Sequence, residues 1–300
     1  MIDMLQTQLT LLIIVAVGFG VTKAGIFSQK TRADVTNIVI YVILPCNIFS
    51  SFHKGLSAET LRQCAVVLFA ALGLQLLYIV LNRLLYIKFP LERRVVIQYA
   101  TIVNNASFMG LPVIGSVFGP IGVLYGSIVL IPMRIFMWTA GLSLFTKTDN
   151  KQRIKLLATH PCIWAVIFGF AFAFTPVELP EFLSSAIVAV GSCTMALSMI
   201  VVGSILSEVD LKHILDKDCF YYSIIRLIIV PAIVFGTLTL LNVDPTTNGV
   251  VVLSSAMPAA VTTAMLAEKY NQDYAFASKT IFTSTILSLV TLPIIAVLLT

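Results

Sequence analysis

The sequence predicts an all-α membrane protein with ten transmembrane helices, and two properties of the chain lead to that prediction. The 300 residues are 58% hydrophobic and only 11% charged, whereas a soluble domain carries about 25% charged residues. Mean hydropathy is +0.99, and apolar runs fill the whole length with short polar connections between them. Most of the surface must therefore face the lipid bilayer rather than water.

Ten apolar runs each approach the roughly 20 residues that a spanning helix needs. The predicted spans are 4–22, 33–52, 62–86, 94–118, 120–146, 160–176, 181–206, 218–241, 246–267 and 273–299. The longest polar stretch, 147–159, connects a first five-helix repeat (1–146) to a second (160–300). No Lys or Arg precedes the first run, so we expect it to be a retained helix rather than a cleaved signal peptide.

The basic residues predict the orientation of the chain. Fourteen of them fall in alternate gaps on one side: Lys23, Lys30, Arg32, Arg83, Lys88, Arg93, Arg94, Lys147, Lys151, Arg153, Lys155, Lys212, Lys217 and Lys269. Only Lys54 and Arg62 fall in the other gaps, so the first set is predicted to be cytoplasmic and both termini outside. We expect a multi-pass protein of the cell membrane. Because topology explains the net charge of +5, no nucleic acid is expected as a partner.

Three cations, Arg134, Arg226 and Lys279, lie within predicted spans, and no carboxylate lies near the middle of any span. A charge at membrane depth is costly and is expected to face the protein interior. Arg134 and Lys279 would there either bind a substrate anion or pair with backbone carbonyls, and Lys279 could instead replace a coupling cation. Arg226 lies nearer the cytoplasmic end, from which its side chain could extend to the interface.

The chain contains signs of an internal repeat with an offset of about 145 residues. Arg134 and Lys279 are followed, at the same spacing, by Leu142-Ser143-Leu144 and Leu287-Ser288-Leu289. Pro112 and Pro258 precede these cations by 22 and 21 residues. A duplicated five-helix unit must insert its second copy in the opposite orientation, and such inverted repeats are typical of secondary carriers with a midplane substrate site.

Spans 4 and 9 have polar, proline-bearing centres, 104–112 and 254–263. Proline removes an N–H and collides with the preceding turn, which opens a helix, and the freed groups must find protein, water or ligand. The N-terminus of a half-helix then suits a carboxylate. The alternative is that these prolines only kink continuous helices.

The predicted substrate site combines these broken centres with the in-span cations and part of span 2. Its residues are Asn104, Asn105, Gly110, Pro112, Ser255, Pro258, Thr262, Thr263, Lys279, Arg134, Pro45 and Asn47. The two asparagines could hold substrate, satisfy backbone groups of the opposite broken helix, or do both. The serine and threonine hydroxyls could instead bond back to their own helix.

Neither a metal site nor a cofactor is predicted, and the chain is not expected to be an enzyme. His53, His160 and His213 do not cluster, and the five cysteines lack metal or disulfide spacing. No helical carboxylate pair and no Gly-x-Ser-x-Gly motif is present.

Three stretches resemble the auxin efflux carrier family: the run from Asn104 to Pro112, Leu44-Pro45-Cys46-Asn47-Ile48-Phe49, and the closing run from Ser284 to Pro293. His160-Pro161 stands where the family usually has Asn-Pro. The similarity covers essentially the whole chain. The connection of about a dozen residues between the halves is similar to that of compact prokaryotic members rather than plant members, which have a long loop.

The resemblance implies a fold and a function. The fold would be a ten-helix inverted repeat like that of bile-acid symporters and sodium/proton antiporters, with spans 4 and 9 crossing. Spans 1, 2, 6 and 7 would form a scaffold in a homodimer, and spans 3–5 and 8–10 a moving transport domain. The function implied is elevator-type transport of an organic anion, such as malate, malonate or an auxin-like acid.

Two other functions remain open from the sequence. One is sodium-coupled symport of a bile-acid-like anion, and the other is a transporter-like membrane sensor that binds its ligand without moving it. The absence of a mid-span carboxylate leaves the coupling ion open, because sodium could still bind Asn, Ser, Thr and carbonyl oxygens.

Overall fold

A computed structural model describes residues 2–51, 57–146, 151, 154–155, 158–173, 175, 179–207 and 216–299. Across these residues the secondary structure is helical, apart from one antiparallel bridge between Asn104 and Ala259. Most of the predicted loop 147–159 lies outside the described residues, as do His53, Lys54, Glu178 and His213.

The helices are α1 (Ile2–Lys23), α2 (Gln29–Ile38), α3 (Leu44–Ser51), α4 (Ala58–Leu85), α5 (Leu91–Ile102), α6 (Leu111–Phe136), α7 (Leu142–Phe145), α8 (Pro161–Ala173), α9 (Glu181–Ser207), α10 (Lys217–Ile224), α11 (Val230–Leu240), α12 (Pro245–Ser255), α13 (Thr262–Lys269) and α14 (Tyr274–Leu298). Wider π-helical turns occupy Val39–Ile43, Ala106–Gly110, Met137–Gly141 and Ile225–Ile229.

Within the described ranges, six helical stretches are long and apolar enough to cross a bilayer: 29–50, 58–85, 106–145, 181–205, 217–240 and 274–298. They confirm the prediction of a multi-pass, all-helical protein. The predicted spans 4 and 9 do not form single long helices, because the backbone leaves the helix at 103–105 and 256–261. Gly119, between predicted spans 4 and 5, has φ of 64°, a left-handed conformation that glycine adopts without steric cost.

Three of the π turns end two residues before a proline: Pro45, Pro112 and Pro231. A proline ring collides with the carbonyl four residues earlier and offers that carbonyl no N–H. A wider turn at that point accommodates both effects while the helix continues. The prolines therefore bend and widen these helices without ending them.

Helices α1 and α9 approach with almost no side chain between their backbones. A Cβ atom at Gly18 would overlap the carbonyl oxygen of Ile200 and lie 2.7 Å from its Cα, and one at Gly203 would overlap the carbonyl oxygen of Val15. A Cβ atom at Gly191 would lie 2.9 Å from the backbone of Asn47 in α3. Small residues allow such backbone approach in membranes, so α1, α3 and α9 form one tightly packed group.

Arg93 connects the starts of three helices: its own helix α5, and α10 and α14. From the first turn of α5, its guanidinium lies 2.9 Å from Asp218 in α10, 3.3 Å from Asp216 before α10 and 3.4 Å from Asp273 before α14. It also lies 4.7 Å from the ring centroid of Phe276. Partial burial lowers the pKa of Arg93, but the hydrogen bond to Asp218 and the carboxylate charges outweigh this and raise the pKa above its ordinary value. The guanidinium therefore stays charged and ties α5, α10 and α14 into a second group.

The change Gly18→Ala should lower the melting temperature in detergent, because the added methyl group would overlap the Ile200 backbone. Overpacking of this kind costs about 1–3 kcal/mol. The matched control is Gly20→Ala in the same helix, where a Cβ would meet nothing within 4 Å and alanine improves helix propensity by about 0.5–1 kcal/mol. Fluorescence-monitored melting compares the two variants, and equal melting temperatures would contradict the close approach of α1 and α9.

Candidate functional site at the crossing of two broken helices

The interrupted helices of predicted spans 4 and 9 cross each other at their non-helical residues. Asn104 forms the antiparallel bridge with Ala259, and the amide of Asn105 donates to the carbonyl of Pro258 at 2.8 Å. The amide of Ala259 donates in turn to Ser284 Oγ at 3.2 Å. Backbone groups released by one break are thus satisfied by the other break and by α14, as a membrane interior requires.

The side chain of Asn104 joins the two breaks. Its Nδ2 donates to the carbonyl of Ser254 at 2.6 Å, and its Oδ1 accepts from the amide of Ala106 at 3.2 Å. Asn104 is 6% exposed, so both amide atoms are used inside the protein. Asn105 differs, because its buried side-chain amide makes no hydrogen bond to any described residue. The structure therefore places Asn104 in a structural role and leaves Asn105 available to a ligand.

The crossing brings together four helix ends with opposite partial charges. Helices α5 and α12 end here, at Ile102 and Ser255, and the segment Ala106–Phe136 and helix α13 begin here. A helix carries about half a negative charge at its C-terminus and half a positive charge at its N-terminus. One set of ends therefore attracts a cation and the other an anion.

Arg226 lies at the negative ends. Its Nε donates to the carbonyl of Met257 at 3.0 Å and its Nη1 to the carbonyl of Thr101 at 2.9 Å. The guanidinium lies 4.5 Å from the ring centroid of Tyr78, and the residue is only 1% exposed. The sequence-based expectation that Arg226 could extend to the interface is wrong, because carbonyls freed by the two breaks bind its side chain in the interior.

Arg134 lies beside the positive ends. Its Nη2 donates to Ser107 Oγ at 2.6 Å, in the first turn after the first break, and its Nη1 lies 3.5 Å from the sulfur of Met137. Its electrostatic effect reaches Tyr99, whose hydroxyl donates to Thr262 Oγ1 at the start of α13, at 3.3 Å. Arg134 is 8% exposed, and its Nε has no hydrogen-bond partner.

Arg134 has no acidic partner among the described residues, and the same is true of Arg226 and Lys279. A buried ion without compensation costs several kcal/mol. Carbonyls and negative helix ends compensate Arg226, whereas Arg134 faces only neutral groups and positive helix ends. The side of the crossing that contains Arg134 is therefore a strongly positive region, suited to an anion.

The other predicted residues of the broken centres lie around this region. Gly110 permits close approach, because a Cβ there would lie 3.2 Å from Met257 Cγ. Ser255 bonds back to Val252 in its own helix, while the buried Thr263 hydroxyl, in the first turn of α13, has no hydrogen-bond partner. Pro112 and Pro258 are buried, and Thr262 is half-buried.

Three predicted site residues have no described contact with Arg134 or with its partner Ser107: Lys279, Pro45 and Asn47. Lys279 is half-buried in α14, and its amine makes no hydrogen bond or ion pair with a described residue. Pro45 and Asn47 are half-buried in α3, and the backbone of Asn47 packs against Gly191 in α9. Within the described residues no group of three or more His, Cys, Asp or Glu is placed to hold a metal ion.

Sequence reasoning missed Tyr99 and Ser107 as members of the site and misplaced Arg226. Tyr99 and Ser107 carry no signal of their own, because tyrosine and serine are ordinary in membrane helices. Arg226 was recognisable as a cation within a span, but the carbonyls that bind it belong to Thr101 and Met257, which are far away in the sequence.

Comparison with known proteins yields one family and two similar transporters. A family model described as "Membrane transport protein" matches residues 3–156 and 150–296. The chain is 27% identical over 299 residues to an uncharacterized transporter of Methanocaldococcus jannaschii, covering 95% of each chain. It is 26% identical over 301 residues to an uncharacterized transporter of Methanothermobacter thermautotrophicus, covering 98% of each. These similarities extend over nearly the entire helical fold.

The change Asn104→Ala should destabilise the protein by about 1–3 kcal/mol, because it leaves the buried carbonyl of Ser254 and amide of Ala106 without partners. Asn105→Ala is the matched control, since the neighbouring side chain makes no hydrogen bond to a described residue and should melt close to wild type. Differential scanning calorimetry in detergent measures both. Destabilisation of the Asn105 variant alone would reverse the assignment of the two asparagines.

Proposed function

Because the chain belongs to the auxin efflux carrier-like family of membrane transport proteins, we propose that it is a secondary transporter for a small organic anion. The observation that carries this proposal is the position of Arg134. Its guanidinium is buried at the N-terminal end of the segment that begins at Ala106 and pairs with no described carboxylate. An anionic substrate supplies the missing negative charge.

The proposed binding mode uses groups that the fold leaves free. A carboxylate binds Arg134 Nε and the first-turn amides of Ser107 and Phe108, which no carbonyl of their own helix can reach. The free amide of Asn105 and the hydroxyl of Thr263 provide further hydrogen bonds at the two sides of the crossing. Mono- and dicarboxylates such as malate, malonate or an auxin-like acid fit this chemistry.

The proposed architecture is two inverted five-helix repeats, with the Arg93 end in the cytoplasm and both termini outside. The two interrupted helices that cross, and the basic residues at one side of the predicted topology, support it. The proposed motion is an elevator movement of the crossing and its supporting helices against α1, α3, α8 and α9. This motion is supported by two distinct sets of helix contacts. Glycines pack α1 and α3 closely against α9, whereas ion pairs of Arg93 connect α5, α10 and α14.

The change Arg134→Gln should lower transport of the preferred carboxylate in proteoliposomes by about tenfold or more, because a charged hydrogen bond contributes about 1.5–3 kcal/mol. Uptake of labelled malate, malonate and indole acetate is measured with and without sodium. Arg83→Gln is the matched control, since Arg83 is exposed on α4 and its loss should leave uptake unchanged. Lys279→Ala tests the second cation that the sequence predicted for the site.

The same assay distinguishes the rival functions. Saturable uptake that the Arg134 variant loses supports the carrier, and uptake that requires sodium identifies a sodium-coupled symporter. Saturable binding without any flux identifies a membrane sensor. Unchanged kinetics in Arg134→Gln would remove Arg134 from the substrate site and with it the basis of the proposed function.

We also propose that two copies of the chain associate through an exposed face of α9. Small side chains form a stripe along this face, and all of them are exposed in the single chain: Ser185, Ala189, Ser192, Cys193 and Ala196. Stripes of small residues favour association of membrane helices. The same helix is fixed on its opposite side by the close packing of Gly191 against the backbone of Asn47, so it offers a rigid surface to a partner.

A short bis-maleimide should crosslink two chains through Cys193, because this is the exposed cysteine while Cys46 is half-buried and Cys64, Cys162 and Cys219 are buried. The Cys193→Ser variant should give no crosslinked dimer, and Cys46→Ser, the matched control, should crosslink like wild type. Native mass spectrometry provides an independent measurement. A monomer in both experiments would exclude the proposed dimer.

A further inference from the structure

We propose that Arg226 is a counter-cation built into the chain, which fills the place where a free cation would otherwise bind at the crossing. The proposal concerns how the carrier holds its crossing and therefore rests on the proposed function. Carbonyls at unwound backbone and C-terminal ends of half-helices are the ligands that bind coupling cations in other carriers with broken helices. In this chain the carbonyls of Thr101 and Met257 bind the guanidinium instead.

The charges at this position balance. Helices α5 and α12 end beside Arg226, and each C-terminus contributes about half a negative charge. Together they offset the single positive charge of the guanidinium. Arg226 therefore needs no carboxylate, which explains how a cation that is 1% exposed is tolerated without one.

The groups that face Arg226 from every adjoining element are neutral. Tyr78 of α4 presents its ring to the guanidinium, and Tyr222, one turn earlier on α10, donates its hydroxyl to the carbonyl of Ala100 at 2.8 Å. Thr101 and Met257 present carbonyls from the ends of the two interrupted helices. Nothing acidic among the described residues contacts the side chain, so helix-end carbonyls and the Tyr78 ring compensate its charge, while Nη2 has no hydrogen-bond partner.

This arrangement makes Arg226 a positioning residue rather than a substrate ligand. It binds the negative side of the crossing, while Arg134 lies at the positive side, where the anion is proposed to bind. Because the cation is covalently attached, the carbonyls of Thr101 and Met257 stay paired whether the substrate site is loaded or empty. The negative side of the crossing then needs no cation from solution at any stage of transport.

Chemical rescue tests the inference directly. The change Arg226→Ala should reduce carboxylate uptake about tenfold or more, because two buried carbonyls lose their hydrogen-bond donors. Millimolar guanidinium, which can enter the vacated space, should restore uptake and raise the melting temperature of this variant. Urea, a neutral molecule of the same shape, should do neither, and neither additive should affect wild type.

Two further variants separate charge from packing. Arg226→Lys keeps the charge and should retain more uptake and a higher melting temperature than Arg226→Met, which keeps the apolar stem. Equal rescue by urea and guanidinium, or equal behaviour of the lysine and methionine variants, would overturn the counter-cation role. The melting measurements decide this even if wild type transports no carboxylate, an outcome that would contradict the proposed function separately.

Discussion

The structure depends on one constraint: backbone groups released inside a membrane must be satisfied by protein, water or ligand rather than left facing lipid. Two helices are interrupted at the same depth, and each interruption supplies hydrogen-bond partners to the other. Asn104 is central to this exchange, because its side chain reaches the Ser254 carbonyl across the crossing while also capping the start of its own following segment. Neither break could exist alone at this depth without exposing polar backbone to lipid.

The second consequence of the crossing is a separation of charge over a short distance. Helices that end there attract positive charge, and helices that begin there attract negative charge. Arg226 donates to two carbonyls at the helix ends that attract positive charge, whereas Arg134 adds its own positive charge on the side where helices begin. The protein thus compensates the negative ends internally, and the uncompensated positive ends are the basis of the proposed preference for anions.

The sequence indicated which two segments are interrupted, but not the exact residues at which each helix is interrupted. Pro258 does lie within the interruption at 256–261, as proline chemistry predicts. Pro112 does not, because the π turn at Ala106–Gly110 absorbs its effect and the backbone opens earlier, around Asn104. The expectation that an asparagine could satisfy backbone groups of the opposite broken helix is confirmed by Asn104, whose side chain donates to the Ser254 carbonyl. The exact residues at which the backbone opens leave no local pattern in the sequence.

The candidate site was predicted only in part for a related reason. Arg134 and the asparagines were recognisable, since charged and amide side chains are rare and costly in membrane helices. The location of Arg226 was misjudged because distance along a helix indicates depth, not which neighbours surround a side chain. Tyr99 joins the site through contacts with residues far away in the sequence, Thr262 among them, and no reading of a single segment reveals such contacts.

The π turn at Ile225–Ile229 has a consequence for the direction in which side chains point. It holds one residue more than an ordinary turn would, and a residue corresponds to about 100° of rotation around a helix axis. That additional residue sets the direction of the buried Tyr222 and Cys219 around the helix axis relative to the buried Val234 and Leu238 on the following turns. A single-residue deletion there would leave composition, hydropathy and length almost unchanged. It would nevertheless rotate one half of the helix about its axis, so that the side chains of that half no longer face the same neighbours.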